Sequence, residues 1–165
     1  MVDFVKALRQ GMAAKENADK NQEEIRGILA KASAQFVEAG LQGFAFKVDS
    51  AMKLTTESMK KQRIGLLGMA LDDMPKYEFS HFVLNAEIGA HQVELCEWVR
   101  SDAGYPVKLK YTGREVTCRD GGGLEVALTE LLATAYAGRE IAKLLNKAGV
   151  QLPGLASDGP DQAAP

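Results

Sequence analysis

Residues 107–128 read VKLKYTGREVTCRDGGGLEVAL, and this stretch decides the fold class of the chain. From Val107 to Tyr111 apolar residues alternate with lysines, and a turn at Thr112 sends the chain back through a second short run. After Asp120 and three glycines, leucines recur every three or four positions, which is the period of a helix. The change of period predicts a β-hairpin that leads into C-terminal helices.

The strand pattern extends from this hairpin toward the N-terminus. It predicts strands near residues 44–48, 77–88 and 91–100, while the apolar run 64–71 contains two glycines and fits a buried strand or a bend. No strand, helix, strand repeat is present, so the strands should pair as an antiparallel meander. We therefore expect an α+β fold with a long N-terminal helix, a meander sheet of about four to six strands, and a C-terminal helix or helix pair packed on one face.

Residues 3–39 predict the long helix, because they lack proline and are rich in alanine, glutamate, lysine and glutamine. A break near Gly11 is one alternative to a continuous helix. Gly40 fits the end of the helix, since glycine readily adopts the left-handed conformation. The chain has 165 residues, enough for one core. We expect a single domain at 1–149, with a helical arm at 3–39, a sheet at 43–119, helices at 121–148 and a disordered tail at 150–165.

A heptad-like series in the N-terminal helix predicts a surface for self-association. Ala18, Ile25 and Ala32 are seven residues apart, and Asn21 and Ile28 are offset from them by three. In a coiled coil such a series forms a seam in which a buried asparagine fixes the register. The alternative is an amphipathic helix that lies across the sheet of its own chain.

The charge balance excludes two classes of protein, and the absence of export signals predicts the compartment and the state of the cysteines. The net charge is −2 and 25% of the residues are charged, so the chain is neither a bulk binder of polyanions nor a disordered acidic protein. The sequence lacks a signal-like segment and a long apolar stretch, so we expect a cytoplasmic protein with no membrane partner. In that compartment Cys96 and Cys118 should be reduced thiols, with a disulfide as the alternative.

A glycine triplet opens the predicted C-terminal helix: Gly121, Gly122 and Gly123. Backbone amides at a helix N-terminus bind anions, and Arg114 and Arg119 are close enough in sequence to contribute. The alternative needs no ligand, because Asp120 caps the helix and the glycines let the chain leave the strand. Neither a Walker motif nor a parallel βαβ unit is present to support nucleotide binding.

A second group of residues fits a nucleic-acid surface, and its basic members are Lys47, Lys53, Lys60, Lys61, Arg63, Lys108 and Lys110. Single strands bind where such charges follow the backbone and aromatic side chains stack on the bases. Against this hypothesis, strand alternation puts the nearby aromatic residues and the lysines on opposite faces. Residues 64–106 also carry seven carboxylates against two cations.

No constellation in the sequence has a catalytic or metal-binding signature. The histidines and cysteines do not have the close spacing of zinc ligands, and they number only four: His81, His91, Cys96 and Cys118. Glu87, Glu94 and Glu97 fit the wet face of an antiparallel sheet better than a catalytic pair of carboxylates. We therefore expect no catalytic residue, no metal and no cofactor.

These patterns favour a binding protein over an enzyme. We expect a small non-enzymatic protein of the adaptor or inhibitor kind, which binds another protein and acts as a homo-oligomer. Helix 3–39 would supply self-association, and the sheet face or the hairpin 107–118 would bind the partner. The alternative is a nucleic-acid-binding module built on residues 47–63 and the same hairpin. A protein that binds or sequesters a small anionic ligand is the second alternative.

Overall fold

The computed structural model describes residues 3–54 and 77–152, and it confirms the α+β class. The described elements are α1 (Phe4–Glu38), β1 (Phe44–Leu54), β2 (Tyr77–Ile88), β3 (His91–Arg100), β4 (Val107–Tyr111), β5 (Arg114–Cys118), α2 (Gly121–Leu132) and α3 (Ala135–Ala148). The strand or bend expected at 64–71 lies outside the described residues.

α1 is one continuous helix and has no break at Gly11. Asp3 caps its N-terminus through a hydrogen bond from the backbone to the Asp3 carboxylate. At the other end Gly40 has φ 105°, and the amide of Leu41 donates to the carbonyl of Phe36 at 3.0 Å. This is the Schellman arrangement that a left-handed glycine permits, so the predicted helix end at Gly40 is confirmed.

The five described strands form one antiparallel sheet in the order β1-β2-β3-β4-β5. Thr112 and Gly113 join β4 to β5 with φ of 47° and 77°. These are the two left-handed residues that a tight type I′ hairpin requires. A two-residue turn fixes the register of its strands, and the register decides which side chains face the helices.

One face of the sheet packs against all three described helices and forms a single core. On β4 the apolar residues are buried, while Lys108 and Lys110 lie on the opposite face. Trp98 on β3, the only tryptophan of the chain, is 1% exposed. Burying a large apolar side chain stabilises a fold by about 1.5–3 kcal/mol, so this alternation draws the helices to one side.

α1 covers β1, the edge strand, through aromatic and polar contacts. Phe36 stacks on Phe44 with ring centroids 4.4 Å apart, and Phe46 meets both rings edge-on. The Ser33 hydroxyl donates to the Leu29 carbonyl at 2.7 Å and accepts a hydrogen bond from the Phe46 amide at 2.9 Å. A backbone amide at the sheet edge thus finds a partner on the helix.

The C-terminal helical region is a pair, with α2 and α3 meeting at Thr134. The Thr134 hydroxyl accepts a hydrogen bond from the Ala137 amide and caps α3. Val150 and Leu152, at the start of the expected disordered tail, are partly buried against the core. These two residues belong to the domain because the core covers their apolar side chains. Residues 153–165 lie outside the described residues.

Candidate functional site

The two halves of α1 have different surroundings. Residues 4–17, which we call the arm, are exposed at every position. At 1.5 Å per residue the arm is about 21 Å long. From Ala18 onward the helix packs on the sheet and on α2, and it buries Ile25 and Leu29. Since every side of the arm is exposed, the described part of the chain does not cover it.

The arm carries four large apolar side chains in one stripe. Phe4, Val5, Leu8 and Met12 are between 61% and 78% exposed. With about 100° of rotation per residue, their stripe lies roughly a third of a turn from the face that Ile25 buries. It is therefore a separate surface and does not continue the core-facing side of α1. Single exposed apolar residues are ordinary, whereas a contiguous group of this kind is a candidate interaction surface.

A groove lies between the packed half of α1 and strands β1 to β3, and we call it the α1 groove. Its volume is about 720 Å³, within the range of roughly 300–1,000 Å³ typical of small-molecule pockets. Leu29 and Phe46 form its apolar floor, Trp98 belongs to the lining but is only 1% exposed, and Ala30 and Ala34 line it along the helix. The alanine side chains are too short to fill the space between helix and sheet.

The charges that line the α1 groove are all positive. These charges are the side chains of Arg26 and Arg100, and the described lining includes no carboxylate. Lys47 borders the groove through its strand, but it alternates with Phe46, so its side chain lies on the opposite face of the sheet. Arg26 and Lys47 each pair with a carboxylate on their own element, at 3.0 and 3.5 Å. The Arg100 guanidinium instead lies 5.9 Å from the ring centroid of Phe82, in a cation–π contact. Among the described side chains, which belong to residues 3–52 and 81–152, no carboxylate forms an ion pair with Arg100.

The residues predicted to form a self-association seam face the body of their own chain. Ile25 is 4% exposed, and Ile28 and Ala32 pack against the core. The Asn21 side-chain amide donates to a carbonyl in the β3–β4 loop at 2.8 Å. Ala18 is half-buried at the junction with the arm. The geometry corresponds to the amphipathic alternative, a helix that lies across its own sheet.

Two carboxylates occupy the N-terminus of α2, where an anion was one expectation. Asp120 accepts a hydrogen bond from the Gly123 amide at 2.8 Å. A Cβ added at Gly121 would lie 2.5 Å from a carboxylate oxygen of Glu24 on α1. Burial, and then the charge of Glu24, raise the pKa of Tyr105 above its usual value. An anion at this terminus would approach two negative charges, so the geometry favours a helix cap.

The other members of the predicted anion site are on the surface. Arg114, Arg119 and Gly122 are exposed. Arg114 lies at the tip of the β4–β5 hairpin, opposite Tyr111 in the register, whereas Arg119 follows the end of the strand. No described ion pair or hydrogen bond brings either arginine side chain to the glycine triplet.

The lysines of the predicted nucleic-acid surface that the structure describes lie among carboxylates. Lys108 is 2.8 Å from Glu115, and Lys110 is 3.7 Å from both Glu97 and Glu115. The hydrogen bond from Lys108 lowers the pKa of Glu115. Lys47 pairs on the same face, so these lysines offer little net charge to a phosphate backbone. The remaining predicted residues have no described side chain: Lys53, Lys60, Lys61 and Arg63.

Neither cysteine is suited to nucleophilic chemistry. Cys96 and Cys118 are free thiols, and both are buried. Burial raises the pKa of Cys96 to about 12, and it also raises the pKa of Cys118. A thiol held in its protonated form is a poor nucleophile and a poor metal ligand. In the described ranges, no three histidine, cysteine, aspartate or glutamate residues are grouped to hold a metal ion.

The α1 groove and most of the contacts that hold α1 have no signal in the sequence. Arg26, Phe82 and Arg100 come from three elements that no local pattern connects. The apolar spacing of Phe4 and Leu8 was visible in the sequence. Its exposure was not, because exposure depends on where the rest of the chain packs.

Comparison of the chain with family models, with curated protein sequences and with solved structures found no match. None of the described helices is both long enough and apolar enough to cross a membrane.

Proposed function

We propose that this chain is a non-enzymatic binding protein that inserts its arm into an apolar groove of another protein. The observation that supports this proposal is the exposed apolar stripe of the arm. Val5, Leu8 and Met12 follow the spacing i, i+3, i+7, and Phe4 adds a fourth anchor one turn before Leu8. Amphipathic helices that bind in grooves use this spacing, with the apolar face against the partner.

Charge indicates the character of the partner surface. The arm carries Arg9 at the edge of the stripe and Lys6 farther around the helix, and both side chains are exposed. Neither has an ion pair within the described residues. A partner groove with carboxylates at its rim would complement these cations and would speed association.

Self-association through the arm is the competing outcome. Two helices packed side by side share a strip of about 20 Å by 10 Å on each arm. A stable interface buries about 800 Å² on each partner. Two arms alone fall short of this area, so a stable homo-oligomer would need a further surface. The expected homo-oligomer stays a prediction, and the crosslinking experiment described next also tests it.

The test begins with a photo-crosslinker in the arm. Replacement of Leu8 by p-benzoylphenylalanine, followed by irradiation in the source organism, should give one dominant adduct, and the same replacement at Val126 should not. Val126 is a fair control because its side chain is 60% exposed but lies on α2, away from the arm.

The identified partner is then purified and titrated calorimetrically with the full chain. One buried leucine contributes about 1.5–3 kcal/mol, so Leu8→Glu should weaken binding about 10- to 100-fold or more. Val126→Glu should leave the affinity within about twofold, as expected of an exposed site outside the interface. Equal affinities for the two variants would reject the proposal. If Leu8 instead crosslinks to a second copy of the chain, and light scattering shows a dimer that depends on the arm, the arm serves self-association and does not bind another protein.

A further inference from the structure

The α1 groove has a cationic end and an apolar floor. Arg100 precedes the β3–β4 loop that Asn21 contacts, so it lies at the Gln22 end of the groove. Arg26 lines the same end, while Ala34 lines the other end. The two ends of the groove therefore differ in polarity, as the two ends of an amphiphilic ligand do.

Arg100 is the group best suited to hold an anionic head group. Its guanidinium already lies over Phe82, and within the described residues it has no carboxylate partner. A guanidinium binds a carboxylate by two parallel hydrogen bonds, and the neighbouring apolar surface strengthens these bonds by excluding water. Leu29 and Phe46 each remain 8% exposed at the floor, where they would contact an alkyl chain.

The arm of a second copy does not match this groove. With its apolar stripe in the groove, Arg9 at the edge of that stripe would approach Arg26 and Arg100 with the same sign of charge. Like charges brought together at an interface oppose binding. Arg26 and Arg100 instead match a ligand with an apolar body and one anionic group.

We propose that the α1 groove binds an anionic amphiphile of the fatty-acid type, with its carboxylate on Arg100 and its alkyl chain over Leu29 and Phe46. The α1 groove is separate from the arm, so ligand binding in the groove can be tested without the partner protein and does not depend on the proposed function of the arm. Trp98, the only tryptophan, is part of the groove lining, so its fluorescence should change when the groove is occupied.

The test is a titration of the full chain with dodecanoate below its micelle concentration, followed by Trp98 fluorescence and by calorimetry. Dodecyltrimethylammonium has the same tail with a cationic head, and it should bind at least about tenfold more weakly, because a charge-assisted hydrogen bond contributes about 1.5–3 kcal/mol. Arg100→Gln should weaken dodecanoate binding by about the same factor. It should also reduce the difference between the two amphiphiles.

Two further variants separate the groove from nonspecific binding. Arg114→Gln removes an exposed arginine at the hairpin tip and should leave dodecanoate affinity unchanged. Ala34→Leu fills the groove from an exposed helix position, and it should abolish the Trp98 response while the thermal midpoint stays close to that of the wild type. Equal binding of the two amphiphiles, an unchanged affinity in Arg100→Gln, or calorimetric binding without a Trp98 response would each overturn the proposal.

Discussion

Replacing Gly104 by alanine tests how α1 is held on the sheet. Gly104 is buried in the β3–β4 loop and has φ 90°. An added Cβ would lie 2.7 Å from the Cβ of Asn21, and 3.4 Å from backbone atoms of Asn21 and Gln22. These atoms belong to the helix backbone or are bonded directly to it, so no side-chain rotation relieves the clash. The loop and α1 would have to move apart.

Two separate costs contribute to the expected loss of stability. The left-handed backbone conformation costs about 1–2 kcal/mol for a residue with a Cβ. Forcing extra volume into a packed contact costs about 1–3 kcal/mol. We therefore expect Gly104→Ala to lower the free energy of unfolding by about 2–5 kcal/mol. Gly113 has φ 77° with nothing within 4 Å of an added Cβ, so Gly113→Ala should show only the first cost.

A double-mutant cycle isolates the clash. Asn21→Gly removes the opposing Cβ, but it also loses the hydrogen bond to the loop carbonyl and places glycine in a helix. Alone it should cost about 1–2.5 kcal/mol. Combined with Gly104→Ala, it should cost at least about 1 kcal/mol less than the sum of the two single changes, because the two residues are in direct contact. The backbone strain at Gly104 would remain, so the rescue is partial.

Urea unfolding followed by Trp98 fluorescence provides the measurement, since this side chain is 1% exposed in the native state. The clash between Gly104 and α1 is refuted if Gly104→Ala is no more destabilising than Gly113→Ala. It is also refuted if the two changes at Gly104 and Asn21 add to within about 0.5 kcal/mol, which is the behaviour of independent sites.

Three further predictions concern the arm, the sheet edge and the core. Gly11→Ala should slow amide exchange in the arm and add up to about 1 kcal/mol to local helix stability, because nothing lies within 4 Å of an added Cβ; a loss of helicity by circular dichroism would contradict this. Ser33→Ala should cost about 1 kcal/mol and speed exchange of the Phe46 amide, which loses its partner; unchanged exchange would contradict it. The folded-state pKa of Cys96 is raised from 9.0 to about 12, so its contribution to stability is complete below pH 9 and is lost as the pH rises toward 12. Cys96→Ala should flatten that alkaline decline in urea unfolding, and an equally steep decline would refute the assignment.

Local patterns in the sequence were sufficient for most of the fold. The alternation at Val107 to Tyr111, the turn at Thr112 and the end of α1 at Gly40 each depend on residues close together in the chain. Such patterns predict the helices and strands and their solvent-facing sides. Burial of apolar residues at alternating or helical spacing favours the element and also decides which side of it is buried. They also predicted that Asp120 could cap a helix in place of an anion site.

The α1 groove and the contacts of Asn21 depend on residues far apart in the chain, and local sequence patterns did not predict them. The hydrogen bond from Asn21 to the β3–β4 loop joins positions 82 residues apart. An asparagine among apolar residues at heptad spacing fits a seam between chains and a contact within one chain equally well. Only the position of Gly104, which leaves room for Asn21, distinguishes them. Similarly, Arg100 has no feature in the sequence that separates it from Arg114.

The contacts that hold the second half of α1 on the protein should also set the orientation of the arm. From Ala18 onward the helix is seated by close contacts at two glycines, Gly104 against Asn21 and Gly121 against Glu24. Because α1 is one continuous helix, a shift of the seated half is carried into the arm and grows with distance from the contact. Gly104→Ala should therefore reorient the arm as well as lower stability. If the arm binds a rigid partner groove, the same variant should weaken that binding without any change to Leu8 or its neighbours, whereas Gly113→Ala should not.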